Sequence, residues 1–182
     1  MFKLQIRYLS FFFAFISILS FFNLIYSYYL NLYLNLNTYY YSLSISLIIS
    51  VVFYKFKIPE KKISIFDKIL TVFTGYLILP LVLSIPFYLS IYNLTFLDSY
   101  FEAISGFTST GFTIFENIKH IDQSLILWRS STQWIGGLYF LFSIILLIDI
   151  YDENFKKTLT NFISFDSSEV FKQTIKIFIL YS

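Results

Sequence analysis

The string Thr108-Ser109-Thr110-Gly111-Phe112-Thr113 gathers four hydroxyl groups around one glycine. In an extended backbone, the consecutive carbonyls of Thr108, Ser109, Thr110, Gly111 and Phe112 can replace a cation's hydration shell. Gly111 permits backbone angles that other residues resist, and the hydroxyls add further neutral oxygens. Such a donor set suits potassium, which gives up its water more easily than a smaller ion does. Few other chemistries are open to this chain. It has no cysteine, which excludes disulfides, thiolate metal sites and a cysteine nucleophile. Its single histidine, His120, has no neighbouring ligand residues and is read as solvated. No nucleophile–base pair, metal-ligand cluster or phosphate loop is present, so an enzyme is not expected, nor is a cofactor. A net charge of +2 is too small to suggest nucleic-acid binding.

The residues before the string must position it. Over 94–107 the apolar residues Phe96, Leu97, Tyr100, Phe101, Ala103, Ile104 and Phe107 follow a helical period rather than an alternating one. A helix over 96–107 would be about 18 Å long, too short for a hydrocarbon core of about 30 Å. A re-entrant pore helix followed by a filter over 108–113 fits this profile. If it enters from outside, its C-terminus aims partial negative charge at the membrane interior, which favours a cation there. Non-helical backbone at that depth is tolerated only when it is buried in protein or lines water. An extracellular loop with an amphipathic surface helix fits the same residues equally well.

The flanking sequence is that of a membrane protein. The chain is 57% hydrophobic and 13% charged, with a mean hydropathy of +0.70, against about 25% charged in soluble domains. Four apolar runs approach the roughly 20 residues that a membrane helix needs: 8–30, 38–56, 69–91 and 123–150. The first exceeds the usual signal-peptide core of about 7–15 residues and no A-x-A site follows it, so it is read as a span. Pro80 and Pro86 predict a kink in the third. Asp166-Ser167-Ser168-Glu169 reads as the start of a fifth helix, whose apolar part, 175–181, reaches the end of the sequence after about two turns. With the N-terminus cytoplasmic, Lys3, Arg7, Lys55, Lys57, Lys61, Lys62, Lys68, Lys156, Lys157, Lys172 and Lys176 lie inside. Lys119 and Arg129 then lie outside, and 92–122 faces outward.

Two elements carry a family resemblance. Phe101-Glu102-Ala103-Ile104-Ser105-Gly106-Phe107-Thr108-Ser109-Thr110-Gly111-Phe112-Thr113 is followed by Leu127-Trp128-Arg129-Ser130-Ser131-Thr132-Gln133-Trp134-Ile135-Gly136-Gly137. Together they resemble the first pore repeat of the Trk/Ktr/HKT potassium transporter superfamily, and its TrkH branch most of all. The resemblance covers about 66–150 and implies that Thr108, Ser109, Thr110, Gly111 and Phe112 form this repeat's quarter of a selectivity filter. The expected fold is all-α. An N-terminal transmembrane pair occupies 1–57, a first pore repeat 58–152, and a cytoplasmic linker with the start of a second repeat 153–182. Family members carry four such units around one axis. The chain is therefore expected either to be the front of a longer transporter, completed by the missing repeats of the same polypeptide, or to assemble with other chains. Alone it should not conduct as a monomer. The resemblance further implies potassium uptake across a bacterial cytoplasmic membrane, with potassium as substrate. A homodimer and a cytoplasmic nucleotide-binding regulatory subunit are implied as partners, besides the lipid bilayer. The rival reading is a non-conducting remnant or auxiliary subunit with a merely structural outward loop.

Four more residues are candidates for support or gating. Arg129 lies about 9 Å down the fourth span, where it can brace the loop or snorkel, with Glu102 as its plausible partner. Gly136 and Gly137 allow close helix packing or a flexible inner helix. Trp128 and Trp134 are read as interfacial belt residues. Thr71-Val72-Phe73-Thr74-Gly75-Tyr76 has the look of a potassium-channel filter, but no pore helix precedes it, and it is read as coincidence.

Overall fold

The computed structural model describes residues 6–55, 65–116, 120–148 and 176. Lys3, Lys57, Lys61, Lys62, Lys119, Lys156, Lys157 and Lys172, and the helix start expected at 166–169, lie outside the described residues. The described residues form helices and connecting turns, with no strand among them. Helices α1 (Ile6–Tyr29), α2 (Leu36–Tyr54) and α6 (Gln123–Ile148) are each long and apolar enough to cross a membrane. So is the pair formed by α3 (Ile65–Leu83) and the short α4 (Ile85–Tyr88). Helix formation follows from the run length, because backbone polar groups in hydrocarbon must be paired within the segment.

The third span begins earlier than the apolar run suggests, at Ile65, and is interrupted at Ser84 between α3 and α4. Pro80 sits inside α3, and Pro86 falls in the first turn of α4. Because Pro86 has no N–H, the helical ladder cannot run on unbroken through this region. On either side it is kept: Ser84 N donates to Pro80 O at 2.9 Å and Tyr88 N to Ser84 O at 2.9 Å. Beside the interruption the Leu83 carbonyl accepts from the Trp128 indole at 3.0 Å. Trp128 is fully buried. It is therefore an interior tie between α3 and α6 and not the lipid-facing belt residue its type suggests; Trp134 is the exposed one.

α1 and α2 form an antiparallel hairpin joined through Asn31, whose φ of 56° suits an asparagine. Ser20 bonds Ser42 at 3.0 Å, and Ser50 donates to the Ser10 carbonyl at 2.8 Å. At one end of the bundle, Asn35 donates to the Asp122 carboxylate at 2.9 Å and accepts from Ile91 N at 3.1 Å. Tyr39 donates to Ser124 at 3.0 Å. These bonds join the hairpin to the start of α6. Further along the bundle, Phe12 of α1 packs edge-on against Tyr139 and Phe142 of α6, with ring centroids 4.8 and 5.2 Å away.

The short helix α5 (Phe96–Phe107) occupies the span expected of the pore helix. Its start is fixed locally. Thr95 accepts from Asp98 N at 3.2 Å while its hydroxyl donates to the Asp98 carboxylate at 2.6 Å, a reciprocal cap. Asp98 in the first turn also complements the helix dipole.

Candidate functional site

The loop after α5 turns back along it. Thr108 N bonds Ile104 O at 2.8 Å, Ser109 N bonds Gly106 O at 2.9 Å, and Thr110 N bonds Ser105 O at 3.1 Å. The first two residues thus finish the helix in a turn, and the extended stretch begins at Thr110 rather than at Thr108. Ser109 sits at φ 56° and Gly111 at φ 78°. The glycine meets this requirement without strain, whereas the serine is held in a sparsely populated region.

Three side chains fasten the far side of the loop. Ser105 donates to the Phe112 carbonyl at 2.7 Å and bonds the Thr110 hydroxyl at 3.1 Å. Glu102, fully buried on α5, accepts from the Thr113 hydroxyl and from Ile114 N, each at 3.1 Å. Arg129 of α6 forms an ion pair with Glu102 through Nη1. Its Nη2 donates to the Gly111 and Phe112 carbonyls, each at 3.3 Å. Arg129 thus contacts both α5 and the loop that follows it. Its side chain is only 11% exposed. The loop is thereby divided. The Gly111 and Phe112 carbonyls are turned toward Arg129. The Thr108, Ser109 and Thr110 carbonyls accept no hydrogen bond from any described residue; all five residues from Thr108 to Phe112 are exposed.

The two glycines of α6 differ sharply. A Cβ on Gly136 would overlap the Phe107 carbonyl oxygen and lie 2.6 Å from its carbon, so α6 touches the end of α5 backbone to backbone. A Cβ on Gly137 would meet nothing within 4 Å. Gly106 makes a similar close approach from α5, toward the Thr132 side chain. Ser105, Gly106 and Thr132 stand in the quoted motifs, but residue type alone gives them no role; for Ser105 and Gly106 the available signal is spacing, since Glu102, Ser105 and Gly106 fall on one helical face. Tyr100 of α5 adds a tie to α3 by donating to Leu77 O at 3.3 Å.

The family model of the TrkH cation transport proteins matches residues 36–181. The chain belongs to the TrkH family. Local similarity extends to an uncharacterized cation transporter of Methanocaldococcus jannaschii, 39% identical over 64 residues, which are 35% of this chain and 14% of that one. The Trk system potassium uptake protein TrkG of Escherichia coli is 41% identical over 46 residues, 25% of this chain and 10% of that protein. The potassium uptake protein TrkI of Halomonas elongata is 40% identical over 60 residues, 33% and 11% of the two chains. The chain thus aligns with about a tenth to a seventh of the length of these relatives. With TrkH membership and four candidate spans, it is a multi-pass membrane protein of a cation transport family.

Proposed function

We propose that this chain supplies one pore repeat to a potassium uptake transporter, with residues 108–112 as its share of the filter. The observation that carries this reading is the division of an exposed loop: the Thr108, Ser109 and Thr110 carbonyls accept no hydrogen bond from any described residue, whereas the Gly111 and Phe112 carbonyls are held by Arg129 and Ser105. Thr108, Ser109 and Thr110 are the principal oxygen donors in this reading. Gly111 and Phe112 hold the curvature, with their carbonyls shared between the ion path and the Arg129 brace. Other repeats, in the same polypeptide or in partner chains, complete the ring of oxygens. An open, mostly apolar hollow beside α5, lined by Leu97, Asp98, Tyr100, Phe101, Ile104 and Ile114, supports packing against such a neighbour.

Arg7, Lys55 and Lys68 lie at the helix ends remote from Asn35 and Asp122. This distribution supports a cytoplasmic N-terminus, with the loop entered from the outer face of a bacterial cytoplasmic membrane. The residue boundaries 1–57, 58–152 and 153–182, the homodimer and the nucleotide-binding regulatory subunit belong to the same proposal. The test is growth on low potassium of an uptake-deficient strain expressing the chain together with completing repeats. Gly111→Ser should abolish growth; growth equal to the unaltered protein would remove the filter assignment.

A further inference from the structure

The sequence 71–76, set aside above as a coincidental filter-like string, has a different use in the fold. It lies within α3, in helical conformation. Its glycine forms a notch: a Cβ on Gly75 would overlap the hydroxyl and the Cζ of Tyr139 and lie 3.0 Å from Leu9 Cδ2. Tyr139 of α6 fills that notch, fully buried, and its hydroxyl is directed at the Val72 carbonyl at 3.0 Å and the Thr71 carbonyl at 3.3 Å. The ring packs against Phe142 of its own helix at 5.8 Å and against three rings from other helices. Its centroid lies 4.8 Å from Phe12 of α1, 5.0 Å from Tyr76 of α3 and 5.4 Å from Phe107, the last residue of α5. Tyr76 itself packs edge-on against Phe107 at 5.6 Å. One turn before Tyr139 on α6, Gly136 touches the backbone of that same Phe107.

We infer that Tyr139, socketed in the 71–76 segment, is a positioning residue that fixes the height and tilt at which α5 delivers the loop. The physical argument is one of leverage. The loop begins one residue after Phe107, so any shift of Phe107 moves the free carbonyls of Thr108, Ser109 and Thr110 directly. Arg129 and Glu102 hold the loop from its far side, while Tyr139 supports the helix end beneath it. The hydroxyl makes the support directional, because ring packing alone allows sliding along α3 and a bond to specific carbonyls does not. This inference rests on the loop being the functional element, and its test is arranged to fail separately from that reading.

Because the chain has no cysteine, single cysteines can report on position without background. A reporter is placed at Ser109 and a second at Tyr33, in the remote α1–α2 turn, in the full chain inserted in membranes. The rate of modification by a charged thiol reagent is measured for each. Tyr139→Phe, which keeps the ring and loses the hydroxyl, should speed labelling at Ser109 about fivefold, the factor expected for one lost hydrogen bond. It should leave Tyr33 unchanged. Tyr139→Leu should speed it on the order of tenfold or more. Gly75→Ala should reproduce the leucine effect by expelling the ring, and the two changes together should give less than the product of their separate effects. Unchanged labelling at Ser109 in Tyr139→Phe overturns the inference. An equal rise at both reporters also overturns it, since that is general loosening. Failure of the transport reading would show instead as unimpaired growth with Gly111→Ser, whatever the labelling rates.

Discussion

The α1–α2 hairpin and the α3–α6 unit are both helical and apolar, yet they are held together by different kinds of contact. In the hairpin, serines spend much of their hydrogen-bonding capacity on their own helix. Ser20 donates to Ile16 O at 2.9 Å and Ser46 to Ser42 O at 2.7 Å, with few bonds between the helices. In the α3–α6 unit, cohesion depends on single residues: a sealed ion pair, a glycine against a carbonyl, a tyrosine in a notch. Apolar area does not distinguish one helix pair from another when the surroundings are equally apolar. A unit that must hold a loop with unpaired carbonyls therefore needs contacts that specify one geometry. The expected consequence is an uneven sensitivity to substitution.

The largest effect should come from the ion pair. Arg129→Leu leaves the fully buried Glu102 carboxylate without its countercharge, a change that costs about 3–5 kcal/mol. Titrating the detergent-solubilised chain with a denaturing detergent, with helicity as the signal, measures it. Glu102→Gln should cost less, because a glutamine oxygen can still accept from Thr113 and Ile114 N. A loss below about 1 kcal/mol for Arg129→Leu would mean that the pair behaves as an exposed one and that the contrast between the two regions fails at its strongest point.

The adjacent glycines of α6 sharpen the comparison within one helix turn. Gly136→Ala drives a methyl into the Phe107 backbone, and overpacking of this kind costs about 1–3 kcal/mol. Gly137→Ala meets open space and should be neutral or stabilise by about 0.5–1 kcal/mol, through reduced freedom of the unfolded chain. The same titration compares them. Equal losses would show that helix flexibility matters at both positions and that close approach is not what Gly136 supplies.

Gly111 gives an intermediate effect of a third kind. Nothing lies within 4 Å of a Cβ built there, so the cost of Gly111→Ala comes only from its φ of 78°, about 1–2 kcal/mol. Ser109→Gly, at φ 56°, should change stability in the opposite sense by relieving strain. If both substitutions destabilise, the loop backbone is set by side-chain contacts rather than by its dihedral preferences.

Much of this architecture was legible in the residues. Run length gave the spans, and the apolar period over 96–107 gave α5 with its bounds, because helix periodicity is a local property. The Glu102–Arg129 pair could be named but not placed, since 27 residues and the lean of α6 separate its members. Gly136 and Gly137 were indistinguishable for a related reason: which of two neighbouring glycines faces α5 depends on the rotation of α6. Trp128 is buried although its type suggests an interface, because the acceptor it finds, Leu83 O, lies 45 residues away on another helix. The 71–76 segment was rightly denied a filter role. Its actual partner, Tyr139, is a tertiary contact that no local pattern announces.

The smallest expected effect tests the other side of the comparison. Ser20 Oγ has a single proton, shared between the Ile16 carbonyl at 2.9 Å and Ser42 Oγ at 3.0 Å. In Ser42→Ala the proton turns wholly to Ile16, so no donor is orphaned and only a shared acceptor is lost. The loss should be about 0.6 kcal/mol or less, the typical worth of a hydrogen bond between membrane helices. Ser46 loses nothing in this change, because it bonds the backbone carbonyl of residue 42, which alanine also provides. A loss above about 1.5 kcal/mol, beyond the usual range of such bonds, would show that the hairpin too hangs on one specified contact. In that case Ser20–Ser42 would stand beside Glu102–Arg129 as a point of registration, and the division between a tolerant hairpin and an exacting α3–α6 unit would no longer hold.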